Sequence, residues 1–183
     1  MSMISNDPHH QDQAVVVTIS GHLVVILPPA LSAALPSRGQ VAVTGTINGH
    51  DFKTVVEPDG LRGHWIKITP ELARVVGMAP GDAVSIELTP RDSWPEPVVP
   101  EDLQLALDDS PDIADLWHSI TSMARWEWVR WVGATRNPAT REKRVHVSIS
   151  KMRSGKRRPC CFDLSSCTDP DLARSGKLMR PDA

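Results

Sequence analysis

Short apolar runs broken by turn residues mark the first half of the chain. Ala14-Val15-Val16-Val17-Thr18-Ile19 and His22-Leu23-Val24-Val25-Ile26-Leu27 flank Ser20-Gly21. Runs rich in β-branched residues and bounded by turn formers read as strands. A third run, from Val41 to Ile47, meets Asn48-Gly49. That pair suits a type I′ hairpin turn, whose two central residues both need positive φ. Phe52 to Val56 predicts the return strand, and Pro58-Asp59-Gly60 the next turn. His64 to Ile68 and Ala83 to Leu88 complete the set. Between them Thr69-Pro70-Glu71 supplies an N-cap, a proline at the first helical position and an early acid. The short helix so begun runs to Val76 and stops at Gly77.

This pattern repeats after 42 residues. His22 falls on His64, Val24 on Ile66, Ile26 on Ile68, Pro28 on Pro70 and Gly39 on Gly81. Each copy reads strand, proline-started turn or helix, glycine turn, strand. Two copies can close on each other about a pseudo-two-fold axis and bury what either exposes alone. The expected class is α+β: a pseudo-symmetric double-split β-barrel over residues 14–92, followed by a small helical region.

Pro95, Pro97 and Pro100 predict an extended linker over 93–100. Beyond it the apolar period changes from about 2 to about 3.6. Ile113, Leu116, Trp117, Ile120, Ala124, Trp128 and Trp131 predict one helix from Pro111 to near Gly133, with Trp117, Trp128 and Trp131 in the core. Asn137-Pro138 opens a second helix with Val145, Ile149 and Met152 as its stripe, ended by Gly155. The helical region spans 101–158. Residues 1–13 read as a disordered leader and 159–183 as a flexible tail.

Composition narrows the class. The chain has 183 residues, 40% apolar and 23% charged, which suits one or two soluble globular domains. No run approaches the roughly 18 apolar residues of a membrane span, and the N-terminus lacks a secretory pattern, so a cytoplasmic location is expected. The barrel region holds six basic residues (Arg38, Lys53, Arg62, Lys67, Arg74, Arg91) against seven acids, which argues against a nucleic-acid surface. Between Arg141 and Arg158, by contrast, stand eight basic residues and one acid. Such a stretch could attract an anion, or simply form a solvated helix face.

Cys160, Cys161 and Cys167 form neither a disulfide framework nor the paired spacing of a zinc site, so no metal and no cofactor is expected. There is no Gly-x-Ser-x-Gly elbow and no P-loop. His22 and His64 occupy one place in the two copies and read as structural; His118 and His146 lie off the apolar stripes. Asp108, Asp109 and Asp112 favour the positive end of the following helix. No residue is assigned a catalytic role.

The segment Trp65 to Leu88, with Gly77-Met78-Ala79-Pro80-Gly81-Asp82, resembles the swapped-hairpin barrels of AbrB/MazE-type transcription factors. The longer set Val43-Thr44-Gly45-Thr46-Ile47-Asn48-Gly49, Phe52, the same Gly-Asp turn, and Val99 to Leu107 resembles a bacterial barrel domain of unknown function. Trp131-Val132, Ala134, Thr140-Arg141-Glu142-Lys143-Arg144-Val145 and Gly155-Lys156-Arg157 resemble the bacteriocin-protection, YdeI or OmpD-associated family. That resemblance implies a link to antimicrobial resistance or stress and no established reaction.

Trp126, set away from the apolar face with Arg130 four residues on, is a candidate binding anchor. Thr140, Arg141, Arg144, Lys156 and Arg157 are the polar residues the family resemblance brings in. Arg141 and Arg144 could hold a carboxylate or phosphate, or form internal salt bridges. The expected function is binding of a peptide or small molecule in a groove between barrel and helices. An AbrB-like DNA-binding regulator and an enzyme of unknown reaction are the alternatives, and the oligomeric state is not readable.

Overall fold

A computed structural model describes residues 10–159 and 168–183. They form two compact units, one reaching to Trp94 and including Leu178–Ala183, the other Pro95–Lys177. The division falls inside the expected linker.

The first unit is a closed six-stranded barrel: β1 (His10–Ile19), β2 (His22–Ile26), β3 (Val41–Ile47), β4 (His50–Pro58), β5 (His64–Lys67) and β6 (Ala83–Pro90). Its cyclic order is β1-β2-β5-β4-β3-β6, with every neighbouring pair antiparallel. Exchanging β1 with β4, β2 with β5 and β3 with β6 leaves that order unchanged. The 42-residue repeat is therefore expressed as a pseudo-two-fold of the barrel. Helix α1 (Pro29–Ala33) in one copy answers α2 (Pro70–Val76) in the other. The copies differ where Ser20-Gly21 turns one hairpin and the longer Asp59–Gly63 stretch turns the other.

Local chemistry explains the joints. Asn48 and Gly49 have φ of 48° and 81°, the conformation a type I′ turn requires. The Thr69 hydroxyl accepts from Leu72 N–H, Pro70 starts α2, and Gly77 ends it at φ 74°. Gly45 is required for another reason. A Cβ there would lie 1.8 Å from the Glu87 carbonyl oxygen, so the β3–β6 seam closes only over glycine. Val16, Val25, Ile47, Ile66, Ile86 and Leu88 are among the side chains that fill the interior.

The second unit packs α3 (Glu101–Asp108), a 3-10 turn (Pro111–Ile113), α4 (Ala114–Ser119), α5 (Ser122–Gly133) and α6 (Pro138–Arg153) around Leu103, Trp117, Trp128, Val145, Ile149 and Met152. The single helix expected over 111–133 is broken. Ile120 is extended, and the Thr121 hydroxyl accepts from Ala124 N–H to cap a new helix. The apolar stripe survives because Ile120 and Ala124 both stay buried. Helix α3 lies inside the expected helical region, although no separate helix is assigned there from the sequence. Trp131, expected in the core, is only partly buried and meets Trp128 edge to face at 6.4 Å.

The ends also differ from expectation. β1 begins at His10, inside the expected leader. The tail is built into the fold over its described part: β7 (Ala173–Arg174) and β8 (Lys177–Leu178) follow a fully buried Leu172. The Asp182 carboxylate then accepts from the N–H groups of Ser20 and Gly21, both at 3.0 Å. Residues 1–9 and the three cysteines lie outside the described residues.

Candidate functional site

In the helical unit most arginines of the basic stretch already have internal partners. Arg141 donates twice to Asp102 of α3, at 2.6 and 3.0 Å. This is the internal salt bridge that the sequence offered as one of two readings. Arg144 donates to the Trp131 carbonyl at 2.7 Å and lies over the Trp131 ring, as does Lys151. Arg153 pairs with Asp112, Arg157 donates to the Ser119 carbonyl, and Arg158 meets Glu127 at 3.4 Å. A guanidinium delivers several directed donors, so one side chain can bind a carboxylate or the open carbonyls of a helix end.

The two arginines that share a face of α6 thus turn to different neighbours, Arg141 to α3 and Arg144 to the end of α5. Trp126 donates its indole N–H to the Pro95 carbonyl at 2.6 Å and carries Arg130 over its ring at 5.4 Å. It holds the proline-rich segment to α5. Arg125, only 15% exposed, donates to the carbonyls of Trp117 and Ile120, closing α4, and to Glu96. Ser122 also donates to Glu96. Thr140 and Lys156 are exposed. Of the seven expected residues, the structure brings Trp126 and Arg130 into direct contact.

The electrostatics agree with these pairings. Hydrogen bonds from Arg125, Arg141 and Arg153 hold Glu96, Asp102 and Asp112 below the ordinary carboxylate range. Burial pushes the Glu127 carboxyl up, against the attraction of Arg158 and Arg130. Among the described residues no three His, Cys, Asp or Glu side chains converge as a metal site would need.

The barrel holds a buried Ser–His contact. His64 is fully buried, with Nε2 2.9 Å from the Gly39 carbonyl and Nδ1 2.7 Å from Ser32 Oγ. A carbonyl only accepts, so Nε2 carries the proton and the Ser32 hydroxyl donates to Nδ1. This is the bonding pattern of an activated serine, but Ser32 is buried, only 1% exposed. Arg38 completes the cluster by donating to the Ser32 carbonyl at 2.6 Å.

Two open grooves flank β4 on the same barrel. One, of about 340 Å³, runs between β4 and α2 and is lined by Asp51, Phe52, Lys53, Thr54, Ile66, Lys67, Thr69, Glu71, Leu72 and Val75. The other, of about 490 Å³, is lined by Thr44, Gly45, Thr46, Asp51, Phe52, Lys53 and Glu87. Phe52, half-buried against the core, is common to both, and charges of both signs stand on each rim. In the sequence Phe52 stands out as the start of a return strand and as a motif residue, not as a site residue. Its position between Asp51 and Lys53, in the most polar of the strands, was the available signal.

Two family models match the chain. Residues 12–88 match a domain of unknown function, DUF1905, and residues 96–155 match the family described as bacteriocin-protection, YdeI or OmpD-associated. None of the curated proteins compared with the chain matches it. No helix among the described residues is long and apolar enough to cross a membrane.

Proposed function

We propose that this chain, whose barrel matches the DUF1905 model and whose helical unit matches the bacteriocin-protection, YdeI or OmpD-associated model, is a peptide-binding protein. The observation that carries the reading is the pair of grooves sharing Phe52. Each combines an aromatic surface with a few polar and charged groups of both signs. Apolar area provides the attraction in such a site, and the polar groups fix orientation. The family description adds support, because bacteriocins are themselves peptides or proteins. A link to resistance or stress belongs to this proposal.

In this reading the grooves bind and the helical arginines hold their own unit together. Trp126, Arg130, Arg141, Arg144 and Arg157 act as scaffold, since each already has an internal contact.

A displayed library of random heptapeptides, selected on the full chain, tests the reading. Selection should enrich peptides that bind wild type and lose at least about tenfold in affinity for Val75→Arg, a groove position 56% exposed whose substitution spares the core. No enrichment, or enriched peptides indifferent to that substitution and to Thr46→Arg in the second groove, would reject it.

A further inference from the structure

β4 is paired on one side along its length and on the other only at its end. Its register with β3 runs from Val41↔Val56 to Ile47↔His50. Its register with β5 covers only Glu57↔Trp65 and Pro58↔His64. From Asp51 to Thr54 the second side borders the groove against α2.

The hairpin turn decides which main-chain groups face that groove. In a two-residue hairpin the flanking pair, here Ile47 and His50, exchanges both ladder bonds. Alternation then gives His50, Phe52 and Thr54 to β3 and turns the N–H and C=O groups of Asp51 and Lys53 outward. The other edge of β3 agrees, because the Ala42 carbonyl accepts from Arg91, just past β6, and the Asn48 N–H donates to Ser85 of β6. Among the described residues no main-chain hydrogen bond reaches Asp51 or Lys53 from the groove side.

We propose that this edge binds its ligand as an added antiparallel strand, an extended peptide lying along Asp51–Thr54 against α2. The inference rests on the peptide-binding reading above and specifies its geometry. Donors and acceptors on the edge recur every second residue, about 6.8 Å apart, which an extended main chain matches and a compact small molecule does not. Asp51 and Lys53 set the side-chain order. In an antiparallel segment an acidic residue stands opposite Lys53, a basic one opposite Asp51, and an apolar one between them beside Phe52. Leu72 and Val75 wall the far side. The slot therefore admits a single thin segment rather than the strand of a folded second copy. An unpaired edge is otherwise a liability, and the charges of Asp51 and Lys53 also discourage indiscriminate pairing.

The test uses the full chain and a fluorescein-labelled peptide, Thr-Val-Glu-Val-Lys-Val-Thr, followed by fluorescence anisotropy. In the proposed register the Glu and Lys nitrogens of the peptide donate to β4, and its valine nitrogens point away. Methylating the Glu and Lys nitrogens should weaken binding at least about tenfold, as expected for two lost main-chain bonds. Methylating the first two valine nitrogens should change it less than about threefold. Val75→Arg should weaken the unmethylated peptide at least about tenfold. Equal effects of the two methylation patterns, absence of binding, or dimers of the chain that exclude the peptide would overturn the edge geometry. Library peptides that need the groove but tolerate either methylation would leave the peptide reading standing without it. A library that enriches nothing would remove both.

Discussion

In the barrel, six strands share a closed ladder and an interior of Val, Ile and Leu side chains. In the helical unit, helices as short as six residues carry a smaller apolar core and are tied by guanidinium groups to Asp102, Asp112, Glu96 and to helix-end carbonyls. Short helices leave carbonyls open at their ends, and arginine closes them while neutralising a neighbouring acid. A closed strand ladder leaves no such ends, and in the barrel unit Arg38 closes the end of the short helix α1, donating to the Ser32 and Leu35 carbonyls. The contrast teaches where to look for a ligand. Arg141, Arg144 and Arg153 are engaged within their own unit, and the barrel carries two open grooves.

The comparison can be broken most sharply at the barrel seam. Gly45→Ala should destabilise the barrel by about 3 kcal/mol, because the added methyl meets a backbone carbonyl that can move only with its strand. Hydrogen exchange read separately for the two units should show the loss in β3 and β6. In the helical unit Arg125→Met should cost about 2 kcal/mol, since a largely buried guanidinium leaves two carbonyls open. Arg141→Ala, at an exposed pair, should cost about 1 kcal/mol or less in the same denaturant titration.

Acid should then separate the units by window. Burial, above all, pushes His64 below its ordinary value of 6.5, helped by Arg38 and opposed by the Gly39 carbonyl. The unfolded chain binds that proton more readily, so this contribution is complete above about pH 6.5 and falls as the pH drops toward the folded value. Glu96 and Asp102 are held down by Arg125 and Arg141, so their contribution persists to their ordinary values of 4.5 and 3.8 and is lost below them. Glu127 runs the other way, because its raised value favours the folded state in acid. Exchange measured from pH 7 to 5 should show barrel amides losing protection first, and His64→Gln should flatten that slope. The smallest effect is expected at the tail. Asp182→Ala should cost about 1 kcal/mol by releasing the Ser20-Gly21 turn, with no change in α5 or α6.

Much of the barrel was legible because its signals are local: Asn48-Gly49, the Thr69-Pro70 helix start and the repeat are each read from adjacent residues or a fixed shift. The helical unit was harder. Leu103, Leu105 and Leu107 alternate like a strand and concealed α3, while the apolar stripe ran through the break at Thr121. The arginines were visible, but their partners lie 29, 39 and 41 residues away at Glu96, Asp102 and Asp112, a pairing set only by packing. The groove was hidden for a similar reason. Whether β4 has a free edge depends on where β5 turns away, which no residue type in β4 records.

The most direct test is calorimetric titration of one library-selected peptide into Val75→Arg and Arg144→Ala in parallel, with the unfolding midpoint of each variant. The account predicts that Val75→Arg loses at least about tenfold in affinity and keeps its midpoint, whereas Arg144→Ala keeps its affinity and unfolds earlier. Loss of binding in Arg144→Ala with Val75→Arg unaffected would place the ligand on the helical unit and contradict the division of roles.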